Sequence, residues 1–550
     1  MFNFRKLNWS LILFLLFNTL KLVCFNVIIS DNIGFMPIFI GMKFILNSVL
    51  VFCLFVPLLK NKLIKTCLFV YSLQFVYLTA HLCYFKYFHN YLHIMQTFTL
   101  FAEGTKALAN LYFFLDGSFL FLFIDLPFFI HFMRNKSKDV HCRFPTIISM
   151  FVIAGLSAFC YINLFAPYIN DRSLSPLLVA PNETDIVRKY GTLTNDVFSF
   201  CANKSEVDIL KSFSYGKPVS VSDTPNTKNN IVILQLESID ANVVNKTYNG
   251  KYIAPYLHEL SKKCVYYPYM MSYHMGGGTS DSEFSILNSI EPLQHYPAMK
   301  LKSYDYPNSF LKSLNANDYT CLAFHGNVAK YFNRLNAFPK MGFSKFYDIF
   351  KMRLSNKGWG ASDGDVLDFT FNKLTKTKSP FLAYIITMTS HASFTNASHY
   401  YNNNLYDDIE DEVVKNYFNS VSYVDMVLKD FITSVRETMP NTYVFVWGDH
   451  TPAINKPLYS QASLSYDKKY FEFVPLLIIT PDNKTYTERS KVASFLDIAL
   501  TVLNASNSDF SISTNGIDLL DFSNTDAPAI PFKNRSYSRE TLFSELIANN

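Results

Sequence analysis

Apolar positions crowd the first 168 residues in runs much longer than the one-sided stripe of a soluble helix. Five of them, 9–27, 35–59, 67–88, 111–132 and 146–165, are each long enough to cross a hydrocarbon core of roughly 30 Å as a helix. Polar or charged residues bound every run. The first is not a cleavable leader, since four more follow it and residues 30–35 offer no small-residue cleavage site. A weaker stretch, 92–106, contains Glu103 and reads as interfacial. Asp116 and Asp125 fall in the fourth run, where an ionised carboxylate is costly. They are expected to face other helices and form interhelical hydrogen bonds, with a part in lipid handling as the alternative.

The links between runs set an orientation. Arg5 and Lys6, then Lys60, Lys62 and Lys65, then Arg134, Lys136, Lys138 and Arg143 mark the basic sides, whereas the link around Asp31 is not basic. Positive residues stay in the cytoplasm, so an odd number of crossings puts everything after Phe165 on the far side.

The pattern then changes. Residues 169–228 are polar and interrupted by Pro176, Pro181, Pro218 and Pro225, as expected of a linker between a membrane domain (1–168) and a large outer domain (229–550). Residues 231–236 form a nearly continuous apolar, β-branched run, the pattern of a strand buried on both faces, and similar runs occur at 319–324, 381–387, 442–447 and 474–479. Helical periodicity separates them, at 280–290, 309–315, 364–374, 413–438 and 487–503. The alternation predicts a layered α/β domain with a central, mostly parallel sheet, whose ligands gather at the carboxyl ends of the strands.

Composition supports this division. Apolar residues make up 49% of the 550 residues and charged ones only 17%, too greasy for a wholly soluble chain. A net charge of +5 over this length gives no concentrated basic face, and nucleic acid is set aside as a partner. Six of nine cysteines precede residue 168, leaving Cys201, Cys264 and Cys321. Three thiols allow at most one bridge, so the outer domain must be held by its core.

Candidate chemistry collects at the predicted strand ends: Glu237, His325, His391, and Asp449 with His450. Carboxylates and imidazole converging with a hydroxyl suit a divalent metal. The hydroxyl lies in Gly276-Gly-Gly-Thr-Ser-Asp-Ser-Glu-Phe284, where glycines allow close approach and Thr279, Ser280 or Asp281 caps a helix through Asn288. A helix start also favours phosphate.

Glu237 in Leu-Gln-Leu-Glu-Ser, Thr279 in the glycine motif, and Gly448-Asp-His-Thr-Pro452 resemble, in order and spacing, the metal and nucleophile motifs of lipoteichoic acid synthases and related phosphoglycerol transferases, sulfatase-like members of the alkaline phosphatase superfamily. His325-Gly-Asn, Asn333-Arg334 and Trp359-Gly-Ala-Ser-Asp363 resemble further blocks. The resemblance implies one divalent metal, manganese or magnesium with zinc also acceptable, on Glu237, Thr279, Asp449 and His450. Thr279 would double as nucleophile, His391 would act in catalysis, and His325, Arg334 and His391 would surround the headgroup. It further implies a phospholipid donor such as phosphatidylglycerol, a glycan or polymer acceptor, and a multi-pass place in a bacterial plasma or inner membrane. Asn327 and Phe332 depart from the family's Asp and Trp, and the usual Tyr-Gly after the Asp-His pair is missing. A phosphoethanolamine transferase is the alternative. A sulfatase or phosphodiesterase, or a non-catalytic lipid-binding protein, fits less well.

Overall fold

The computed structural model describes residues 9–29, 64–88, 117–134 and 212–549, less 225–226, 295, 468 and 524–526, with scattered residues at 43–55, 91–92 and 187–210. The chain divides into two compact units, 1–204 and 205–550.

In the first unit two described helices, α1 (Trp9–Ile29) and α2 (Ile64–Phe88), are long and apolar enough to cross a membrane. They match the first and third expected spans. The fourth is not one helix where it is described. A 3-10 segment, Gly117–Phe123, ends in a turn before α3 (Leu126–Arg134). Pro127 lies at the second position of α3, where its missing N–H would have broken a helix running through. The second and fifth spans, the 92–106 stretch and Asp116 lie outside the described residues, apart from isolated positions. Of the five expected spans, two are seen as membrane-length helices among the described residues, and the fourth is broken where it is described.

Asp125, at the break, is buried and fully engaged. It pairs with Lys21 Nζ at 2.7 Å and accepts hydrogen bonds from Asn18 Nδ2 (2.6 Å) and Tyr71 Oη (2.9 Å), joining α1, α2 and the start of α3. Interhelical bonding is thus what this carboxylate does.

The stretch read as linker is divided between the units. Thr192 donates its backbone N–H to Asn26 Oδ1 (2.9 Å), and Tyr77 Oη donates to Asp196, so these polar residues saturate groups on α1 and α2. Farther on, β1 (Lys217–Val221) belongs to the second unit. It pairs antiparallel with a strand at Phe510–Thr514. Its mostly exposed side chains hide it from a hydrophobic scan.

The second unit is built on a ten-stranded sheet. Its main strands are β2 (Asn230–Leu236), β3 (Val265–Met271), β4 (Thr320–His325), β5 (Lys345–Tyr347), β6 (Phe381–Ile386), β7 (Thr442–Gly448) and β8 (Lys469–Ile479). They lie side by side in the order β3-β8-β7-β2-β6-β4-β5. Neighbours from β7 to β5 are parallel, whereas β8 runs antiparallel to both β7 and β3. β2, β6 and the inner part of β7 are buried on both faces, which explains their uninterrupted apolar runs. Helices α4 (Thr279–Asn288), α5 (Arg334–Met341), α6 (Asp363–Leu374), α7 (Glu412–Thr438) and α8 (Phe495–Ser506) belong to the same unit. α8 starts later than periodicity suggests, at a capping box in which Ser494 and Asp497 satisfy each other's backbone. Cys264 and Cys321 are buried free thiols.

Removing one member of a buried ion pair strands the other. Asp125→Ala should therefore lower the melting temperature of the detergent-solubilised chain markedly, whereas the double change Lys21→Met with Asp125→Leu should recover most of the loss. Equal melting of Asp125→Ala and parent would show that the pair does not hold these helices.

Candidate active site

The register of two neighbouring strands creates the site. β2 and β7 pair in parallel with Leu236 opposite Gly448, so the next residues, Glu237 and Asp449, emerge together at the carboxyl edge. The two strands can close this tightly because residue 448 is glycine. A Cβ there would lie 1.7 Å from the Ile239 carbonyl oxygen. Ser238 then takes a left-handed conformation (φ 52°), which turns its N–H onto Asp449 Oδ1 at 2.8 Å while its hydroxyl donates to Glu237 Oε1 at 2.9 Å. Asp449 Oδ1 also accepts the N–H of His450 (2.8 Å).

His450 completes the cluster. Its Nδ1 faces the Thr451 carbonyl at 2.8 Å, which makes Nδ1–H the donor and presents Nε2 to the site. Nε2 lies 3.3 Å from Glu237 Oε1 and 3.7 Å from Asp449 Oδ1. Thr279 Oγ1 is 3.5 Å from the same nitrogen. The four residues singled out as ligands therefore meet around one point, and three of them, Glu237, Asp449 and His450, form a set with metal-ligand spacing.

Electrostatics ask for a cation here. Glu237 and Asp449 are both buried, and neither is paired with a lysine or arginine among the described residues. Burial, reinforced by the Glu237 charge, pushes the Asp449 carboxyl well above its ordinary range. Burial works against charge on His450 too, but the Asp449 and Glu237 carboxylates outweigh it and raise the imidazole to about 10. A divalent ion would answer the same demand and leave Nε2 as a lone-pair donor, so two carboxylates, one imidazole and one hydroxyl fit such an ion.

The glycine turn frees the Thr279 hydroxyl. Gly278 takes φ 57° at the amino cap of α4, and no side chain caps the helix there. The capping expected of Thr279, Ser280 or Asp281 is replaced by bonds back into the turn: Asp281 Oδ2 accepts the N–H groups of Met275 (3.1 Å) and Gly277 (2.7 Å), and Ser280 Oγ donates to the Gly277 carbonyl (2.7 Å). Thr279, the first residue of the helix, is left to face His450.

The residues expected around a headgroup lie on neighbouring elements. His325, the last residue of β4, is buried with Nδ1 on the Ile386 carbonyl (3.2 Å). Burial first, and then the Arg334 charge, hold its imidazole down at about 3, so it is neutral and offers Nε2 as an acceptor. Arg334 opens α5, but it is not a free fork. Its Nε (2.9 Å) and Nη2 (2.5 Å) grip the Glu283 carboxylate, leaving Nη1 without a hydrogen bond among the described residues. His391 follows β6 with its ring stacked on Trp359, centroids 4.9 Å apart. The loop that carries it is held by Asp363, whose oxygens accept the N–H groups of Met388 (2.8 Å) and Thr389 (2.9 Å). The two departures from the family motifs also have local roles. Asn327 Nδ2 donates to the Trp359 carbonyl (2.9 Å), and the Phe332 ring lies 5.3 Å from the Arg334 guanidinium.

Sequence reasoning missed Glu283, His274 and Glu472. Glu283 lies one helical turn after Thr279, so α4 presents the hydroxyl and the anchor of Arg334 on one face. Glu472 binds Thr451 N and Oγ1 (both 2.9 Å) and His274 Nδ1 (3.0 Å), while the His274 ring stacks on His450 at 4.2 Å. It went unseen because β8 is reversed, which brings its amino end to the edge where the other strands finish. A glutamate inside an apolar strand was the available signal.

A parallel-centred α/β sheet with buried carboxylates, an imidazole and a hydroxyl at its carboxyl edge is the arrangement of a metal-dependent enzyme acting on phosphoryl or sulfuryl esters. Residues 229–508, just over half the chain, match the Sulfatase family, and the chain belongs to it. Among its relatives, lipoteichoic acid synthase 2 of Bacillus subtilis (strain 168) is 24% identical over 93% of this chain and 82% of its own length. The lipoteichoic acid synthase-like protein YvgJ of the same strain is 25% identical over 66% of this chain and 62% of its own, so the chain spans less than two thirds of that relative. The fold extends to lipooligosaccharide phosphoethanolamine transferase A, an integral membrane protein of Neisseria meningitidis, at 13% identity and a TM-score of 0.54, covering 90% of this chain and 95% of that one.

A ligand that binds only the folded state raises its stability. Manganese chloride should thus raise the denaturation midpoint of the parent chain, whereas Asp449→Asn and His450→Ala should show no such rise. The same increase in all three chains would remove these residues from metal binding.

Proposed function

We propose that the chain is a membrane-bound, metal-dependent transferase that moves a phosphoglycerol group from phosphatidylglycerol to a glycan or polymer of the bacterial cell envelope. The reaction would pass through an ester on Thr279. The observation that carries this reading is the Thr279 hydroxyl, uncapped at the start of α4 and 3.5 Å from the His450 nitrogen that also faces Glu237 and Asp449. The order of the motifs and the similarity to lipoteichoic acid synthases support the substrate class. The membrane helices and the basic links support a catalytic domain outside the cytoplasm.

A divalent ion held by Glu237, Thr279, Asp449 and His450, manganese or magnesium by family resemblance, supplies Lewis acidity toward the hydroxyl and the phosphoryl oxygens. The chain's own groups do the rest. Thr279 Oγ attacks phosphorus, its proton passes to solvent or to a neighbouring base, and the bond to the diacylglycerol oxygen breaks. His391 presents Nε2, because Nδ1 faces the Ala392 carbonyl at 2.5 Å, and in its protonated form it can hand a proton to the departing oxygen. Arg334 Nη1 steadies the phosphoryl group, while Glu283 fixes the guanidinium plane. Neutral His325 accepts a hydrogen bond from a glycerol hydroxyl at Nε2. An acceptor hydroxyl then attacks the phosphothreonine, and Thr279 leaves.

Thr279→Ala should abolish transfer, and Thr279→Ser should retain part of it. Exposure of the parent chain to phosphatidylglycerol and, separately, to phosphatidylethanolamine, followed by peptide mass spectrometry, should place a phosphoglycerol adduct on Thr279 only in the first case. An ethanolamine adduct would move the assignment to phosphoethanolamine transfer. Parent-like turnover by Thr279→Ala would end the nucleophile assignment.

A further inference from the structure

Beside the candidate site, residues 326–361 carry seven lysines and arginines against a single acid, Asp348; Arg334, Lys340 and Lys357 pair with Glu283, Asp305 and Asp365 outside the segment, which leaves four cations in surplus. Asp348 is buried and spent internally, since it accepts the N–H groups of Ala329 (3.2 Å) and Lys351 (3.0 Å). Three loops of this segment are stitched into one rim. Ile349 N–H donates to the Asn327 carbonyl (3.2 Å), Leu335 N–H to the Ala329 carbonyl (2.9 Å), and Ala361 N–H to the Gly326 carbonyl (2.9 Å). The rim adjoins the site at two points: Leu335 follows Arg334, and Trp359 stacks on His391.

Its outward face is apolar and cationic. In the short helix Ile349–Met352 the two end residues are buried, while Phe350 is 72% exposed. Leu335 is 44% exposed, and Lys330, Lys351 and Arg353 are exposed around them. The turn thus buries the apolar residues that pack and turns a whole phenyl ring outward among cations. Unpartnered rings flanked by lysine and arginine suit the boundary between headgroups and acyl chains, where the ring leaves water and the cations meet lipid phosphates. Around Phe350 it is Lys330, Lys345, Lys351 and Arg353, none of them paired with a carboxylate among the described residues, that make the lip complementary to an anionic surface.

We infer that this rim, centred on Phe350, docks on an anionic bilayer and delivers the lipid headgroup to the site at its edge. The inference rests on the proposed use of a membrane lipid as donor, but its physical part does not require turnover. The full chain, reconstituted in vesicles of phosphatidylglycerol and phosphatidylcholine, would carry Phe350→Cys labelled with an environment-sensitive fluorophore, the parent treated alike as control. Lipids brominated on their acyl chains should quench the label, more strongly as the phosphatidylglycerol fraction rises. An unquenched label overturns the docking, whatever the activity, and leaves a protein partner as the use of the rim.

Activity gives the second arm. Phe350→Asp should lower kcat/KM at least tenfold on long-chain phosphatidylglycerol in the bilayer, yet stay within about twofold of the parent on a water-soluble short-chain analogue with the same headgroup. Equal loss on both substrates, or loss on neither, overturns the inference. Quenching in a chain that turns over neither substrate supports the rim and places the failure in the proposed reaction.

Discussion

Two carboxylates brought side by side in a dry place are the constraint on which the rest of the second unit depends. The β2–β7 register puts Glu237 and Asp449 at adjacent positions of one sheet edge, both buried. Burying two like charges is costly unless something positive joins them, and no described lysine or arginine does. His450 supplies the answer from within the chain, and its Nε2 also faces Thr279. The arrangement around it, from the left-handed Ser238 to the Glu472 bonds on Thr451, holds that imidazole in one orientation.

Much of this was legible from the residues alone, because each of the first-noticed groups ends or follows a strand whose apolar run is unbroken. Glu237, His325, Asp449 and His450 lie where parallel strands finish, and a parallel sheet buries both faces of its centre, so pattern and position agree. What escaped notice is what topology alone decides. β3 reads poorly because Pro268 and three tyrosines interrupt its aliphatic pattern, although Pro268 and Tyr269 are only partly buried. The reversal of β8 cannot be inferred from its composition, and that reversal makes Glu472 a neighbour of His450. In the first unit the hydropathy of 111–132 was real but the described part is not one continuous helix, since Asp125 is held by Lys21 and Pro127 restarts the helix.

The pairing of Arg334 with Glu283 changes the meaning of the arginine. A guanidinium aimed at solvent would be a flexible anion trap. One held by two nitrogens on a buried carboxylate is a fixed donor whose remaining Nη1 points wherever the Glu283 geometry sends it. Because Glu283 and Thr279 are one turn apart on α4, the Thr279 hydroxyl and the Arg334 guanidinium are referenced to the same rigid element. Any tilt of α4 moves both together, so their mutual distance survives breathing of the loops around them. The sheet edge fixes Glu237, Asp449 and His450, and the helix fixes Thr279 and, through Glu283, Arg334. Their junction is the glycine turn, in which Asp281 is bonded to Met275 and Gly277. The sequence therefore places its most conformationally permissive residues where two rigid bodies must be brought into register, and a buried carboxylate locks the turn once they are.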